Sequence, residues 1–222
     1  MPMEPLRILY EDAHLVLCVK PVGVLSEDSA DGACMPALLR AHYRAQGKPD
    51  YIATVHRLDK AVGGVMLFSR RREITGKLTA AIAEHRVTKE YLAVLRGTPE
   101  KDSDTLTDLL FRDAAHNKSY VVRRPRKGVR EASLEYRELS RTEELSLVRV
   151  RLHTGRTHQI RVQFAARGCP LAGDGKYGGK GSAPLLWSYR LSFPDPRDGR
   201  TQTFEKSPEN PPWEALFAEK QQ

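Results

Sequence analysis

The order of apolar and polar residues divides the chain into short elements. Residues 6–10 and 15–19 are apolar and rich in β-favouring side chains, with EDAH between them as a turn, so two short strands are predicted. Lys20-Pro21-Val22-Gly23 ends the second strand, because proline cannot donate to a ladder and glycine permits a sharp bend. Residues 35–46 (MPALLRAHYRAQ) have the apolar spacing of a short helix. Residues 64–69 (GVMLFS) read as a buried strand. Residues 71–86 read as an amphipathic helix, with Ile74, Leu78, Ala81 and Ile82 on one stripe. Another strand is expected over residues 90–95. Residues 97–130 are polar, rich in Lys and Arg and weak in periodicity, and read as a long connection with short strands.

Residues 131–140 and 145–152 alternate in polarity, with RTEE between them as a hairpin turn. HTGRT follows as a tight loop. Residues 158–167 are predicted to be helical, with Thr157 as a candidate cap and Gly168 where a helix-ending glycine would stand. A strand over residues 185–193 and a Pro-rich tail complete the chain. Strands dominate, neighbours are often antiparallel, and neither a βαβ rhythm nor a repeat is present. The pattern predicts an α+β fold, a mixed and mostly antiparallel sheet flanked by helices, with residues 1–222 as a single domain.

Composition narrows the partners. Lys and Arg number 36 and Asp and Glu 28, a net charge of +8 over 222 residues. Such a surface attracts phosphate backbones, although charge alone does not separate nucleic acid from other acidic partners. No apolar run approaches the roughly 18–20 residues that span a bilayer. The N-terminus lacks the basic, apolar and small-residue order of a secretory leader, so a cytoplasmic protein with no membrane partner is expected. Cys18, Cys34 and Cys169 are odd in number and widely spaced, which suggests reduced, buried thiols and neither a disulfide framework nor a zinc site.

Two clusters carry candidate chemistry. Val55-His56-Arg57-Leu58-Asp59-Lys60 places four ionisable side chains directly before the GVMLFS strand. Charges so close to a core are costly unless paired, and an ordinary surface loop with an Asp–Arg pair is the plain alternative. The second cluster is His153-Thr154-Gly155-Arg156-Thr157-His158-Gln159-Ile160-Arg161. A helix start with nearby arginines suits a phosphate or carboxylate, and the plain alternative is a capped helix with solvated arginines. His56, Asp59, His153 and His158 could together suggest a zinc hydrolase, but HxxD is a weak signal and the spacing fits no zinc site, so no metal is expected.

Read together, HRLD, then TGRTHQIR, then GDGKYG at residues 173–178 resemble the RluA family of pseudouridine synthases. KPVG at residues 20–23 and KEYLAVL at residues 89–95 match in the right order and at suitable distances. The likeness runs from about Ile8 to Phe217. It implies the pseudouridine synthase fold with a basic RNA-binding cleft. It implies an enzyme that isomerises specific uridines in ribosomal or transfer RNA, flipping the target base out of its stack.

The same resemblance makes Asp59 the catalytic carboxylate, Tyr91 the residue packed on the target base and a candidate for the proton step, and Arg161 the partner of the carboxylate. His56 and Arg57 would lie beside the flipped nucleotide, and Arg156, His158 and Lys20 would be further RNA contacts. Isomerisation oxidises nothing and transfers no group, so no cofactor is expected. Asp59 can act on ribose carbon 1 as a nucleophile or on the neighbouring carbon as a base. The basic segment 112–130 would add phosphate contacts.

The chain departs from the family in places. Val62-Gly63-Gly64 stands where relatives have Thr-Ser-Gly, which removes a hydroxyl and would leave Gly63 freer. Gln163 replaces a common His at a position read as structural. No separate N-terminal RNA-binding domain is expected, and a monomer is. The alternative reading is a non-catalytic RNA-binding or ribosome-assembly protein on the same fold.

Overall fold

Asp12 makes the first hairpin: its Oδ1 accepts the backbone N–H of His14 at 2.7 Å and of Leu15 at 2.8 Å, turning the chain over the EDAH sequence. The structure is a computed structural model and describes residues 6–30, 33–209 and Trp213. In chain order its elements are β1 (Arg7–Glu11), β2 (Leu15–Lys20), α1 (Met35–Ala45), β3 (Ala53–Thr54), β4 (Gly63–Ser69), α2 (Arg72–Ala83), β5 (Thr88–Arg96) and β6 (Ser103–Asp113). They continue with β7 (Lys118–Val122), β8 (Val129–Arg141), β9 (Leu145–Leu152), α3 (Gln159–Ala165), a 3-10 turn over Gly175–Tyr177, β10 (Leu186–Pro194) and β11 (Thr201–Glu205). The described residues group into two units, those of 6–89 with 188–207, and those of 90–187 with 208, 209 and Trp213.

In the first unit the strands follow the order β1-β2-β4-β10, with β3 beside β4 and β11 beside β10. The pairings β1–β2, β2–β4, β3–β4 and β10–β11 are antiparallel. The expected stripe on α2 is the one that packs: Ile74, Leu78 and Ala81 are buried against Leu15 and Leu17 of β2, Val65 and Leu67 of β4, and Leu191 and Phe193 of β10. A fully buried leucine such as Leu78 contributes about 1.5–3 kcal/mol.

In the second unit the order is β5-β9-β8-β6-β7, and β6–β7, β6–β8 and β8–β9 are antiparallel. Helix α3 packs against β6 and β7, with Val162 on Leu110 and Ala132. The expected α+β class, with mostly antiparallel pairing, holds. The three cysteines are free and buried.

The structure corrects three expectations. Within residues 97–130, read as a long connection with short strands, β6 and β7 form a hairpin in which β6 alone runs 11 residues. The inward positions of β6 are Asp104, Leu106, Asp108 and Leu110, so two acids interrupt the apolar alternation. Asp108 is tolerated because Gln163 and Arg167, at and beyond α3, donate to it at 2.7 and 2.9 Å. The segment read as a Pro-rich tail contains β11. Its sequence, TQTFE, is mostly polar and becomes a strand by pairing with β10, after an Asp195-centred turn. The end of that tail, including Phe217, lies outside the described residues. Third, α3 begins one residue later than expected and Thr157 does not cap it. His158 is the N-cap, in the left-handed region at φ 55°, with no side-chain cap bond. Gly168 does end the helix in the left-handed region, at φ 76°. Among the described residues no helix is long and apolar enough to cross a membrane.

Candidate active-site residues

Asp59 belongs to the first unit, in the loop between β3 and β4, and is half-buried. The backbone around it is held on both sides. Ser26 Oγ donates to the Leu58 carbonyl at 2.7 Å and accepts the Leu58 N–H at 3.0 Å. The Gly23 N–H donates to the Lys60 carbonyl at 2.8 Å, and the Val62 N–H closes the turn on the Asp59 carbonyl at 3.0 Å. A loop has no ladder to fix it, so these bonds do that work.

Lys20 has a different place from that of an RNA contact. It is fully buried, and its ammonium donates to the carbonyls of Val24 at 2.6 Å, Pro21 at 2.9 Å and Lys60 at 3.2 Å. Three bonds match the three hydrogens of an ammonium. Burial pushes its pKa down to about 8, while the charge of Asp59 pulls it back up. Lys20 therefore braces the turn and sets a positive charge beside the carboxylate.

His56 also turns inward. Its Nε2 accepts the Leu67 N–H of β4 at 3.0 Å, and burial, with the charge of Lys89 adding to it, pushes its pKa down to about 3. The neutral ring carries its hydrogen on Nδ1, which has no partner among the described residues. An RNA phosphate would meet no charge there. Arg57, by contrast, is exposed and reaches Glu27 at 3.0 Å. A surface pair of this kind is worth about 0–1 kcal/mol, so an RNA phosphate can displace the glutamate.

Gly63 and Gly64 open β4, with Gly64 paired to Lys20. Gly64 has φ 120°, and a Cβ there would stand 2.3 Å from the Ser188 carbonyl oxygen. Close approach of two backbones demands this glycine, and strand pairing removes the looseness expected of the segment.

The second unit holds Tyr91 and Arg161. Tyr91 lies in the buried run 91–95 of β5 and is 6% exposed. Arg161, on α3, donates from Nε to Asp174 at 2.6 Å and from Nη2 at 2.8 Å, a bidentate pair with both side chains buried. Arg156 is exposed and its Nε donates to the Glu131 carbonyl at 2.9 Å. His158 is buried, with Nδ1 2.9 Å from the Tyr177 hydroxyl. Gln163 is structural, its amide donating to Asp108 at 2.7 Å and to the Leu106 carbonyl at 3.3 Å. The residues of the zinc alternative go to separate partners: His56 to Leu67, His153 to Glu135 and His158 to Tyr177. Among the described residues no three His, Cys, Asp or Glu side chains form a metal-binding group.

Sequence reasoning missed several supporting residues. Ser26 is a lone serine in a loop and carries no local signal. Gln159 stands within TGRTHQIR with nothing local to give it a role. Its Oε1 accepts from the Thr154 hydroxyl at 2.7 Å and the Arg156 N–H at 3.0 Å, which shapes the HTGRT loop. Asp174 and Tyr177 were likewise visible only as letters of GDGKYG.

Comparison with known proteins places the chain in a family. The family described as RNA pseudouridylate synthase matches residues 14–166. A protein of Aquifex aeolicus (strain VF5), named an uncharacterized RNA pseudouridine synthase, is 34% identical over 90% of this chain and 69% of its own length. A Zymomonas mobilis protein named ribosomal large subunit pseudouridine synthase D is 32% identical over 85% of this chain and 61% of its own length. The structure of human RNA pseudouridylate synthase domain containing 4 shares the fold, with a TM-score of 0.77 at 21% identity over 90% of this chain and 88% of that one. With its family model matched over most of the chain and these relatives alongside, the chain belongs to the RNA pseudouridylate synthase family of isomerases, in the RluA group.

Proposed function

We propose that the chain isomerises uridine to pseudouridine in ribosomal RNA, with Asp59 as the catalytic carboxylate. The observation that carries this reading is the clamp around Asp59: Ser26, Gly23, Lys20 and Val62 fix the backbone on either side of one acid, and a buried cation stands beside it. A carboxylate set in this way is oriented before substrate arrives, which is where positioned groups gain their rate. Family membership supports the reaction, and the Zymomonas relative's name supports the ribosomal substrate.

Uridine must lose its base-to-ribose bond, turn over and rejoin through carbon 5. Asp59 serves as nucleophile at ribose carbon 1 or as base at the neighbouring carbon. Tyr91 packs on the base and serves the proton step. Arg161 pairs with the carboxylate in this reading, which rests on the family resemblance, and its guanidinium is already oriented by Asp174. Exposed Arg57 and Arg156 and the basic segment 112–130 meet the RNA, while Lys20 and His56 act through the turn. Residues 1–222 serve as one catalytic domain, acting as a monomer in the cytoplasm.

The test is to delete the gene in its host and map pseudouridine across total RNA by chemical labelling and sequencing. Sites that disappear should return with the wild-type chain and stay absent with Asp59→Ala. Restoration by Asp59→Ala, with the protein still binding RNA, would instead favour an RNA-binding protein on this fold.

A further inference from the structure

The loop 171–181 is packed backbone against backbone. A Cβ on Gly173 would stand 2.2 Å from the Ala183 carbonyl oxygen, one on Gly175 2.3 Å from that of Gly181, and one on Gly179 1.8 Å from that of Leu171. Glycine is needed at each, and the loop so fixed presents Asp174 and Tyr177 three residues apart. Asp174 holds the Arg161 guanidinium by charge, and the Tyr177 ring lies with its centroid 5.1 Å from Arg161 Cζ. The same ring has Lys118 Nζ 5.3 Å from its centroid, so it contacts a cation of β7 as well as the cation of α3.

The hydroxyl makes the connection specific. Strand β7 is the last in the order of its sheet and would leave backbone donors unpaired. Tyr177 Oη accepts the Ser119 N–H at 2.8 Å. Ser119, itself buried, donates from Oγ to the Thr157 carbonyl at 2.7 Å. Tyr177 Oη also lies 2.9 Å from His158 Nδ1, with the two rings edge to face at 85°. His158 occupies a left-handed conformation that side chains other than glycine rarely adopt, and it persists only where surrounding contacts over-determine it. Its carbonyl accepts the Val162 N–H at 3.0 Å, the bond that starts α3, and Arg161 follows three residues later.

We infer that Tyr177 is a positioning residue: its hydroxyl accepts from β7 and donates to His158 Nδ1, locking the left-handed entry of α3 so that Arg161 is held for the reaction. The inference rests on the proposed function only for Arg161's part in the reaction. It places the hydrogen of the neutral His158 ring on Nε2. It also ties the strand carrying Lys118, within the basic segment, to the helix carrying Arg161.

The experiment combines histidine 15N NMR with steady-state kinetics on an RNA transcript containing the mapped uridine. In the wild type, His158 is expected to show a hydrogen on Nε2 and none on Nδ1. Tyr177→Phe keeps the ring beside the two cations and removes the hydroxyl. It should change the His158 tautomer signal and lower kcat about tenfold with KM within about twofold, the mark of a group that acts on the transition state and not on binding. Wild-type kcat in the Phe variant would overturn the inference, as would a loss expressed in KM. An Nδ1–H tautomer in the wild type overturns it even if the variant does not fold. The NMR result needs no activity, so loss of the proposed reaction and loss of this lock are told apart.

Discussion

The two units restrain their candidate functional residues in different places. Around Asp59 the loop backbone is held: Ser26 takes both polar groups of Leu58, and Lys20 and Gly23 share the Lys60 carbonyl. Around Arg161 the side chain itself is held, by Asp174 through two charge-assisted bonds and by the Tyr177 ring. The reason lies in where each residue sits. Asp59 is in a loop, where φ and ψ must be restrained one bond at a time. Arg161 is in a helix, whose backbone is already set, so only the long guanidinium arm needs restraint. A short acid on a held loop and a long base on a held arm reach similar order from different starting points.

This contrast can be broken at its strongest point by removing Asp174. Asp174→Ala leaves a buried guanidinium without its bidentate partner. A loss of about 3–5 kcal/mol in unfolding free energy is expected from denaturant titration. A loss below about 1 kcal/mol would mean that the Arg161 arm is held elsewhere.

Lys20→Met tests the other side. The aliphatic stem fits the same space, but the buried Val24 carbonyl loses its 2.6 Å donor. The expected loss is about 1–3 kcal/mol, smaller than for Asp174→Ala because a backbone carbonyl and not a charge is orphaned. Turnover should fall by about ten- to a hundredfold through misplacement of Asp59. Wild-type turnover in this variant would show that Ser26 and Gly23 hold the turn unaided.

The smallest effect is a pH dependence seated in the first unit. His56 is neutral in the fold, with its pKa pushed down to about 3 from an ordinary 6.5. Between those values the unfolded chain binds the extra proton. Stability from this residue is therefore fully present above pH 6.5 and declines as pH falls below it, by about 1.4 kcal/mol per pH unit at most. Unfolding titrations from pH 7 to 5 should show that slope, and His56→Leu should flatten it. An unchanged slope in His56→Leu would assign the acid sensitivity to other groups.

Much of this was written in local order. The α2 stripe, the β8–β9 hairpin and the helix-ending Gly168 follow from periods and turn chemistry that any chain of this sequence would share. The HRLD and TGRTHQIR motifs mark Asp59 and Arg161 in the sequence, whereas GDGKYG contains Asp174 and Tyr177 with nothing local to give them a role. Local order failed where a residue's role depends on a distant partner. β6 does not look like a strand until Gln163 and Arg167, more than fifty residues away, donate to its inward Asp108. Lys20 and His56 look like exposed cations beside a motif, yet one is buried against three carbonyls and the other is neutral against Leu67. Sequence determines periodicity, charge and the identity of the reactive groups, because those are properties of neighbours along the chain. Tertiary structure decides which polar groups are desolvated and by whom they are satisfied, because burial and hydrogen bonding depend on neighbours in space.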